Sequence, residues 1–248
     1  MTGHLQPIPV TAPAAHPARF ALRCFFDLQL ATIARFLRRR LSSVQGTLLD
    51  VGAGESPWRA WLPPGTEYYA ADVATAGHFG MRPNAAVVYY DGRRLPFPDR
   101  SFDNVLCVEV LEHTASPAEF MAELARVLKP GGALILTVPW SARRHHIPYD
   151  FQRFTREGLA VLLEKSGFVD ARIEERGSDV AVIANKLLIL SIRLLRPASI
   201  GRALWSIPAA LLTLPLSLVF LGAAHLSNRL GTGADEDPLG YAVSARRA

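Results

Sequence analysis

Thr47-Leu48-Leu49-Asp50-Val51-Gly52-Ala53-Gly54-Glu55-Ser56-Pro57-Trp58 reads as a buried strand that empties into a glycine turn and opens a helix. Gly52 and Gly54 lack a β-carbon, so the backbone can turn sharply and a nucleotide-like ligand can lie against bare peptide groups. Ser56 suits an N-cap and Pro57 the first helical position, which predicts a helix near Trp58 whose free N–H groups face the turn. An ordinary strand-to-helix turn looks the same, so the flanking sequence has to decide.

Outward from the turn, strand-like and helical runs alternate. Strands are expected at 68–72, 86–90, 105–108, 133–138 and 171–175, with helices at 117–128 and 155–166. This alternation implies right-handed βαβ units, a mainly parallel, doubly wound sheet, and helices on both faces. Ligands then sit beyond the carboxyl ends of the strands. Upstream, Phe20, Leu22, Phe25, Phe26, Ile33, Phe36, Leu37 and Leu41 recur at helical spacing and predict one amphipathic helix over 20–43, ending in Arg38-Arg39-Arg40. Residues 1–19, rich in Pro, Ala and His, predict a disordered lead without a secretory signal.

The 248 residues are half apolar and carry a net charge of +5, mostly from arginine. Such a chain can bury a full core, and its charge fits nucleic acid, an anionic membrane or composition alone. Cys24 and Cys107 are far apart, which argues against a disulfide framework or a structural zinc site and suits a reducing cytoplasm.

Asp72 lies twenty residues beyond Gly52, where a carboxylate can accept both hydroxyls of a ribose. Asp91-Gly92 ends the next strand, where a carboxylate can accept from an exocyclic amine. Solvated loop aspartates remain the plain alternative for both. Five motifs stand in order here: Leu49-Asp50-Val51-Gly52-Ala53-Gly54 with Asp72 and Asp91; Leu95-Pro96-Phe97; Ser101-Phe102-Asp103; Val110-Leu111-Glu112-His113; and Leu128-Lys129-Pro130-Gly131-Gly132. In combination they resemble the class I S-adenosylmethionine-dependent methyltransferases of the type 11 kind.

The resemblance implies a Rossmann-like seven-stranded sheet with a C-terminal apolar helical insertion. It also implies S-adenosyl-L-methionine as cofactor, held by Asp50, Gly52, Ala53, Gly54, Asp72, Asp91, Gly92 and Glu109. The glycine turn would meet the methionine end, Asp72 the ribose and Asp91 the adenine, with Lys129 to Gly132 a structural turn. The implied methyltransferase domain spans 44–178 and 238–248. A nicotinamide dehydrogenase is the rival, but Pro57 stands where its third glycine belongs, and Glu55 would face phosphates.

Acceptor chemistry is expected after the fourth and fifth strands. Trp140 to Phe154 concentrates His145, His146 and Tyr149, the catalytic candidates, with Asp150 and several arginines; a solvent-exposed loop braced by Tyr149 and Asp150 is the alternative. Glu109, Glu112 and His113 would share one face of a helical turn and, with His146 or His145, could ligate a divalent metal such as Mg. That pattern is similar to ubiquinone-biosynthesis O-methyltransferases and small-RNA 2′-O-methyltransferases. Packing and helix capping would explain the same residues.

Residues 179–237 read as an apolar helical insertion. No residue from Ala203 to Asn228 is fully charged, Pro208 and Pro215 interrupt the run, and Lys186, Arg193 and Arg196 flank it. Residues 238–247 look like the last strand, so the chain must return to the side it left. Either two segments cross as a hairpin or the insertion is interfacial or re-entrant; Lys186 and Arg193 make a full crossing costly, which favours the second, with a peripheral or monotopic position at the cytoplasmic face of the membrane. The implied activity is O-methylation of an amphiphilic or lipid-linked acceptor. The alternatives are a soluble small-molecule methyltransferase whose insertion is a lid or homo-oligomer interface, and a non-catalytic module that kept the fold. A nucleic-acid partner is disfavoured, because no stacking platform or RNA-binding module is present.

Overall fold

The structure, a computed structural model, describes residues 8–10 and 12–248. Seven strands form one sheet: β1 (Thr47–Val51), β2 (Glu67–Val73), β3 (Val87–Tyr90), β4 (Phe102–Val108), β5 (Leu128–Pro139), β6 (Phe168–Arg176) and β7 (Gly240–Arg247). Their order is β3-β2-β1-β4-β5-β7-β6, with β7 antiparallel to both neighbours and the β3-to-β5 half parallel. This is a doubly wound, Rossmann-like α/β architecture.

Alternation along the central strands builds two cores, since successive side chains point to opposite faces. Leu49, Val105, Cys107, Leu134 and Leu136 meet α3 (Pro117–Val127) and α4 (Arg156–Lys165) through Met121, Leu124, Leu159 and Leu163. Leu48, Leu106 and Ile135 face the other way, onto Ile33, Phe36, Leu37 and Leu41. Thr155 caps α4 by accepting from Gly158 N at 3.0 Å, as its sequence suggests.

Several local expectations change. The N-terminal segment is two helices, α1 (Pro17–Phe26) and α2 (Leu28–Leu41), because Asp27 leaves helical geometry and its carboxylate caps α2 at Leu30 N, 3.0 Å. Of the expected disordered lead, residues 1–7 and 11 lie outside the described residues. Residues 17–19 already belong to α1, and Arg23 holds the carbonyls of Ile8 and Pro9. The helix expected after Ser56 is only a 3-10 turn, Pro57–Trp61. Ser56 is left-handed there (φ 53°) and caps nothing with its side chain. Lys129 to Gly132 runs inside β5, Gly131 alone taking a left-handed φ of 74°.

Beyond β6 the chain makes a hairpin of α5 (Asp179–Leu194) and α6 (Ile200–Leu230), then returns as β7 between β5 and β6. Pro208 and Pro215 do not interrupt α6. Each proline removes one backbone bond but leaves the flanking turns bonded, and α5 packed beside the second keeps them in line. The hairpin interface is built mainly from small and hydroxyl side chains, with Val182 and Leu221 the large aliphatics buried among them. Ala181, Ala184, Ala210 and Ala224 are buried, Ser191 Oγ lies 2.9 Å from both Thr213 Oγ1 and Ser217 Oγ, and Ser178 meets Ser227 at 3.2 Å. The large side chains Ile200, Leu204, Trp205, Leu211, Leu212, Val219 and Leu226 face outward.

Arg176, at the end of β6, joins these parts. Its buried guanidinium donates to Val138 O on β5 (3.1 Å), Tyr241 O on β7 (3.2 Å), Thr32 Oγ1 on α2 (3.3 Å) and Glu109 Oε1 after β4 (2.8 Å). Gly240 leaves the room it needs, since a β-carbon there would overlap the guanidinium. Removing one partner of a buried ion pair strands the other together with the orphaned carbonyls. Arg176→Ala is expected to lower unfolding free energy by about 3 kcal/mol or more, measured as a shift of the urea midpoint.

Candidate functional site

The carboxyl ends of β1, β2, β3 and β4 carry the predicted residues along one edge of the sheet. Gly52 N and Ala53 N both donate to Ala71 O, at 2.8 and 3.1 Å, which fixes the turn against β2. Gly52 (φ 74°) and Gly54 (φ 52°) are left-handed. A β-carbon on Gly52 would overlap Val110, and one on Gly54 would sit 3.0 Å from Met81 Sδ. Both glycines are therefore demanded by conformation and by space.

Asp72 is buried and reaches back into the turn, Oδ2 accepting from Gly54 N at 2.8 Å and Oδ1 from Val73 N at 2.7 Å. Burial raises its pKa, and the two backbone donors oppose that rise. Asp91 is exposed and accepts from Arg93 N (2.9 Å) and Arg94 N (3.2 Å), contacts that lower its pKa. Gly92, with φ 81°, follows it in the same turn. Asp50 is less a ligand contact than a buried strut. It is 2% exposed, and its Oδ2 accepts from the Tyr68 hydroxyl at 2.7 Å. Burial pushes its pKa up to about 7, against that hydrogen bond and with the charge of Asp72 adding to the rise.

The acceptor side differs from expectation in one donor. The segment after β4 forms only a single 3-10 turn, Leu111–His113, so Glu109, Glu112 and His113 do not share a helical face. Glu109 has a left-handed backbone (φ 54°), and its carboxylate bonds Arg176, which withdraws it from the expected metal set. His145 and His146, expected as alternatives, both stand beside His113. One ligand nitrogen from each of His113, His145 and His146 lies within 4.8 Å of the others. Glu112 is fully buried beside them, Oε1 lying 3.7 Å from His113 Nε2 and 3.9 Å from His145 Nε2, with neither oxygen hydrogen-bonded. Burial raises the Glu112 pKa and lowers that of His113; it also takes His145 and His146 down to about 4. These contacts are thus not ion pairs: the imidazoles are neutral at pH 7, and burial favours the neutral carboxyl.

The loop holding the histidines is stitched to the Leu111–His113 turn. Phe151 N donates to Glu112 O (2.9 Å), Gln152 Nε2 to Thr114 O (3.0 Å), and His113 Nδ1 lies 2.7 Å from Tyr149 O. Asp150 clasps Arg153 at 2.6 and 2.9 Å and accepts from His145 N at 2.9 Å. The Tyr149 ring packs on His78 and Phe79, and Phe79 also contacts His113 and His146. The loop after β2 therefore lies over both the glycine turn, through Met81, and the histidines, through Phe79. Neither Arg176 nor this aromatic cover was foreseen. No sequence signal marked either, because both are contacts between distant segments.

A hollow of about 1060 Å³ lies at the opposite end of the sheet, among Arg40, Asp103, Lys129 and Gly131. Asp103 is already paired there with Lys129 at 2.7 Å and with Thr47, and of the strand carboxyl ends only that of the antiparallel β7, at Ser244 to Arg246, borders it. The chemistry-bearing edge is the glycine turn and histidine loop.

Residues 49–136 match the family model described as a methyltransferase domain. An uncharacterized methyltransferase of Mycobacterium marinum is 35% identical over 133 residues, covering 49% of this chain and 50% of that protein. A Mycolicibacterium smegmatis protein whose name includes "S-adenosylmethionine-dependent methyltransferase" is 34% identical over 104 residues, or 39% of this chain and 40% of its own length. The chain thus spans about half the length, or less, of these curated relatives. A solved SAM-dependent methyltransferase from Archaeoglobus fulgidus superposes with a TM-score of 0.53 at 17% identity, covering 93% of this chain and 100% of that one, a likeness of fold.

Two outcomes follow from the geometry. Because folded Asp50 keeps its proton between an unfolded pKa of about 3.9 and about 7, its contribution to stability should decline as pH rises through that window. Asp50→Asn should remove this part of the slope, at most about 1.4 kcal/mol per pH unit, in urea titrations at pH 4.5 to 7.5. Gly52→Ala should cost about 1–3 kcal/mol through its left-handed backbone and the clash with Val110, read as a fall in melting temperature.

Proposed function

We propose that this chain, whose residues 49–136 carry the methyltransferase domain, binds S-adenosylmethionine on the β1–β4 edge and methylates an oxygen of an amphiphilic or lipid-linked acceptor at a membrane surface. The residues present suit that cofactor. The glycine turn admits close approach of a ligand, Asp72 and Asp91 lie at the right strand ends for ribose and adenine, and Glu55 and Asp72 favour a cationic ligand over a pyrophosphate.

When bound, the cofactor supplies an electrophilic methyl group on a sulfonium. The protein's share of an in-line displacement is alignment, exclusion of water and removal of the hydroxyl proton. Phe79, Met81 and Tyr149 form the cover that excludes water. In the metal-free chain, His145 and His146, neutral at pH 7, are the groups available to accept a proton from the acceptor oxygen, and Tyr149 borders the same space. The products balance as methyl ether or ester, S-adenosylhomocysteine and one proton.

The observation that carries the membrane part is the inverted packing of the hairpin. In water, large apolar side chains face inward; α6 is long and apolar enough to cross a membrane, yet only 22% of its most apolar stretch is buried. Small residues and hydroxyls inside with leucines outside is the packing that helices adopt in lipid. Lys186, Arg193 and Arg196 are exposed at its flank, suiting an anionic surface. The hairpin also adjoins the site: the charges of Arg193 and Asp27 act on Arg143, two residues from His145.

Calorimetry should show about one S-adenosylmethionine per chain, and isotope-labelled methyl groups should pass into a membrane lipid extract. Leu204→Glu/Leu212→Glu, both on the outward face, should lose flotation with anionic vesicles while keeping cofactor binding. A monodisperse soluble dimer without detergent that ignores vesicles would replace the membrane reading with the soluble small-molecule one. Absence of cofactor binding would leave a non-catalytic module.

A further inference from the structure

We propose that His113, His145, His146 and Glu112 form a binding site for one divalent first-row transition-metal ion. The inference starts from Glu112, which is fully buried with both carboxylate oxygens lacking hydrogen-bond partners. An orphaned buried carboxyl is costly to keep unless something satisfies it. Three imidazoles surround it, with ligand nitrogens within 4.8 Å of one another.

Their orientation is prepared for ligation. His113 Nδ1 lies 2.7 Å from Tyr149 O and His145 Nδ1 lies 3.1 Å from Arg143 O. A carbonyl only accepts, so each Nδ1 carries the proton and each Nε2 keeps its lone pair, on the side facing Glu112 Oε1. Metal-ligating histidines characteristically donate their second ring N–H in this way. His146, with φ 50°, is held against the Phe79 ring at 5.1 Å and completes the set. Ligands of a tetrahedral ion at about 2.0–2.1 Å stand roughly 3.4 Å apart, so loading draws the loop inward by about 1 Å.

Three nitrogens and one oxygen select zinc, cobalt, nickel or iron over magnesium, calcium or manganese, which prefer oxygen. This departs from the magnesium set expected with Glu109, whose carboxylate is engaged by Arg176. The ion would lie between the Phe79 cover and the loop after β5, on the acceptor side. A role there in holding an acceptor oxygen rests on the methyl-transfer reading; binding of the ion does not.

The test uses the full chain stripped by a chelator and titrated with Co(II) by visible absorption. Saturation at about one equivalent, with ligand-field bands of a four- or five-coordinate site and a raised melting temperature, is expected. His146→Ala should weaken binding at least tenfold, with His146→Gln as the volume-preserving second variant, and neither should show the metal-induced melting shift. The proposal is overturned by non-saturable cobalt absorption, by tighter magnesium than cobalt binding, or by unchanged binding in His145→Ala/His146→Ala. S-adenosylmethionine calorimetry on the metal-free chain separates the two readings: cofactor binding with no cobalt site sinks this inference alone.

Discussion

The buried guanidinium of Arg176 is the interaction on which the arrangement of this protein depends. It touches β5, β7, α2 and Glu109 together, so it ties the antiparallel edge of the sheet to the parallel half that carries the glycine turn. Withdrawing a guanidinium from water is expensive, and the cost is met by a carboxylate and three other acceptors in fixed geometry. The consequence reaches the site. With Glu109 committed to Arg176, Glu112 faces the histidines without a second carboxylate, and the chemistry of that cluster changes from oxygen-rich to nitrogen-rich.

Two kinds of burial coexist. Around the central strands, large aliphatic side chains alternate between the two faces and exclude water from both. In the α5–α6 hairpin the order is largely reversed, with alanines and serines inside beside Leu221 and Val182, and most of the leucines of α6 outside. A hairpin packed that way gains little from the hydrophobic effect in water, and its hydroxyl contacts between Ser191, Thr213 and Ser217 contribute what its small interface cannot. It is still anchored to the soluble body: His225 Nε2 lies 2.8 Å from Phe25 O on α1, and Arg35 donates to Asn228 O. Cofactor edge, histidine loop and apolar surface are thus held in one body.

Burial also sets the protonation of the site. His113, His145 and His146 are pushed toward neutrality and Glu112 toward its acid form, because few hydrogen bonds replace the lost water. Neutral imidazoles with their Nδ1 atoms against carbonyls are lone-pair donors, suited to a proton or a metal ion. Asp150, by contrast, keeps a lowered pKa although burial opposes it, because Arg153 and the backbone of His145 satisfy its oxygens. The difference between these two buried carboxyls is one of partners, not of residue type.

Much of the fold was legible because it is written in local periodicity. Apolar runs located six of the seven strands to within three residues, while β5 begins five residues before its expected start, and the glycines at 52 and 54 marked the turn because they suit its left-handed backbone and its close neighbours. The length of the apolar run from 203 to 228 likewise announced a helix, since only the residues themselves decide that property. What the tertiary structure decided were pairings between distant residues: Arg176 with Glu109, Phe79 over the histidines, Asp50 under Tyr68, and both His145 and His146 beside His113. It also decided that the hairpin turns its leucines outward, because hydropathy measures how apolar a segment is and not which side meets its neighbour. Spacing along the chain constrains what shares a face of one element; which faces meet is settled only when loops and strands close in space.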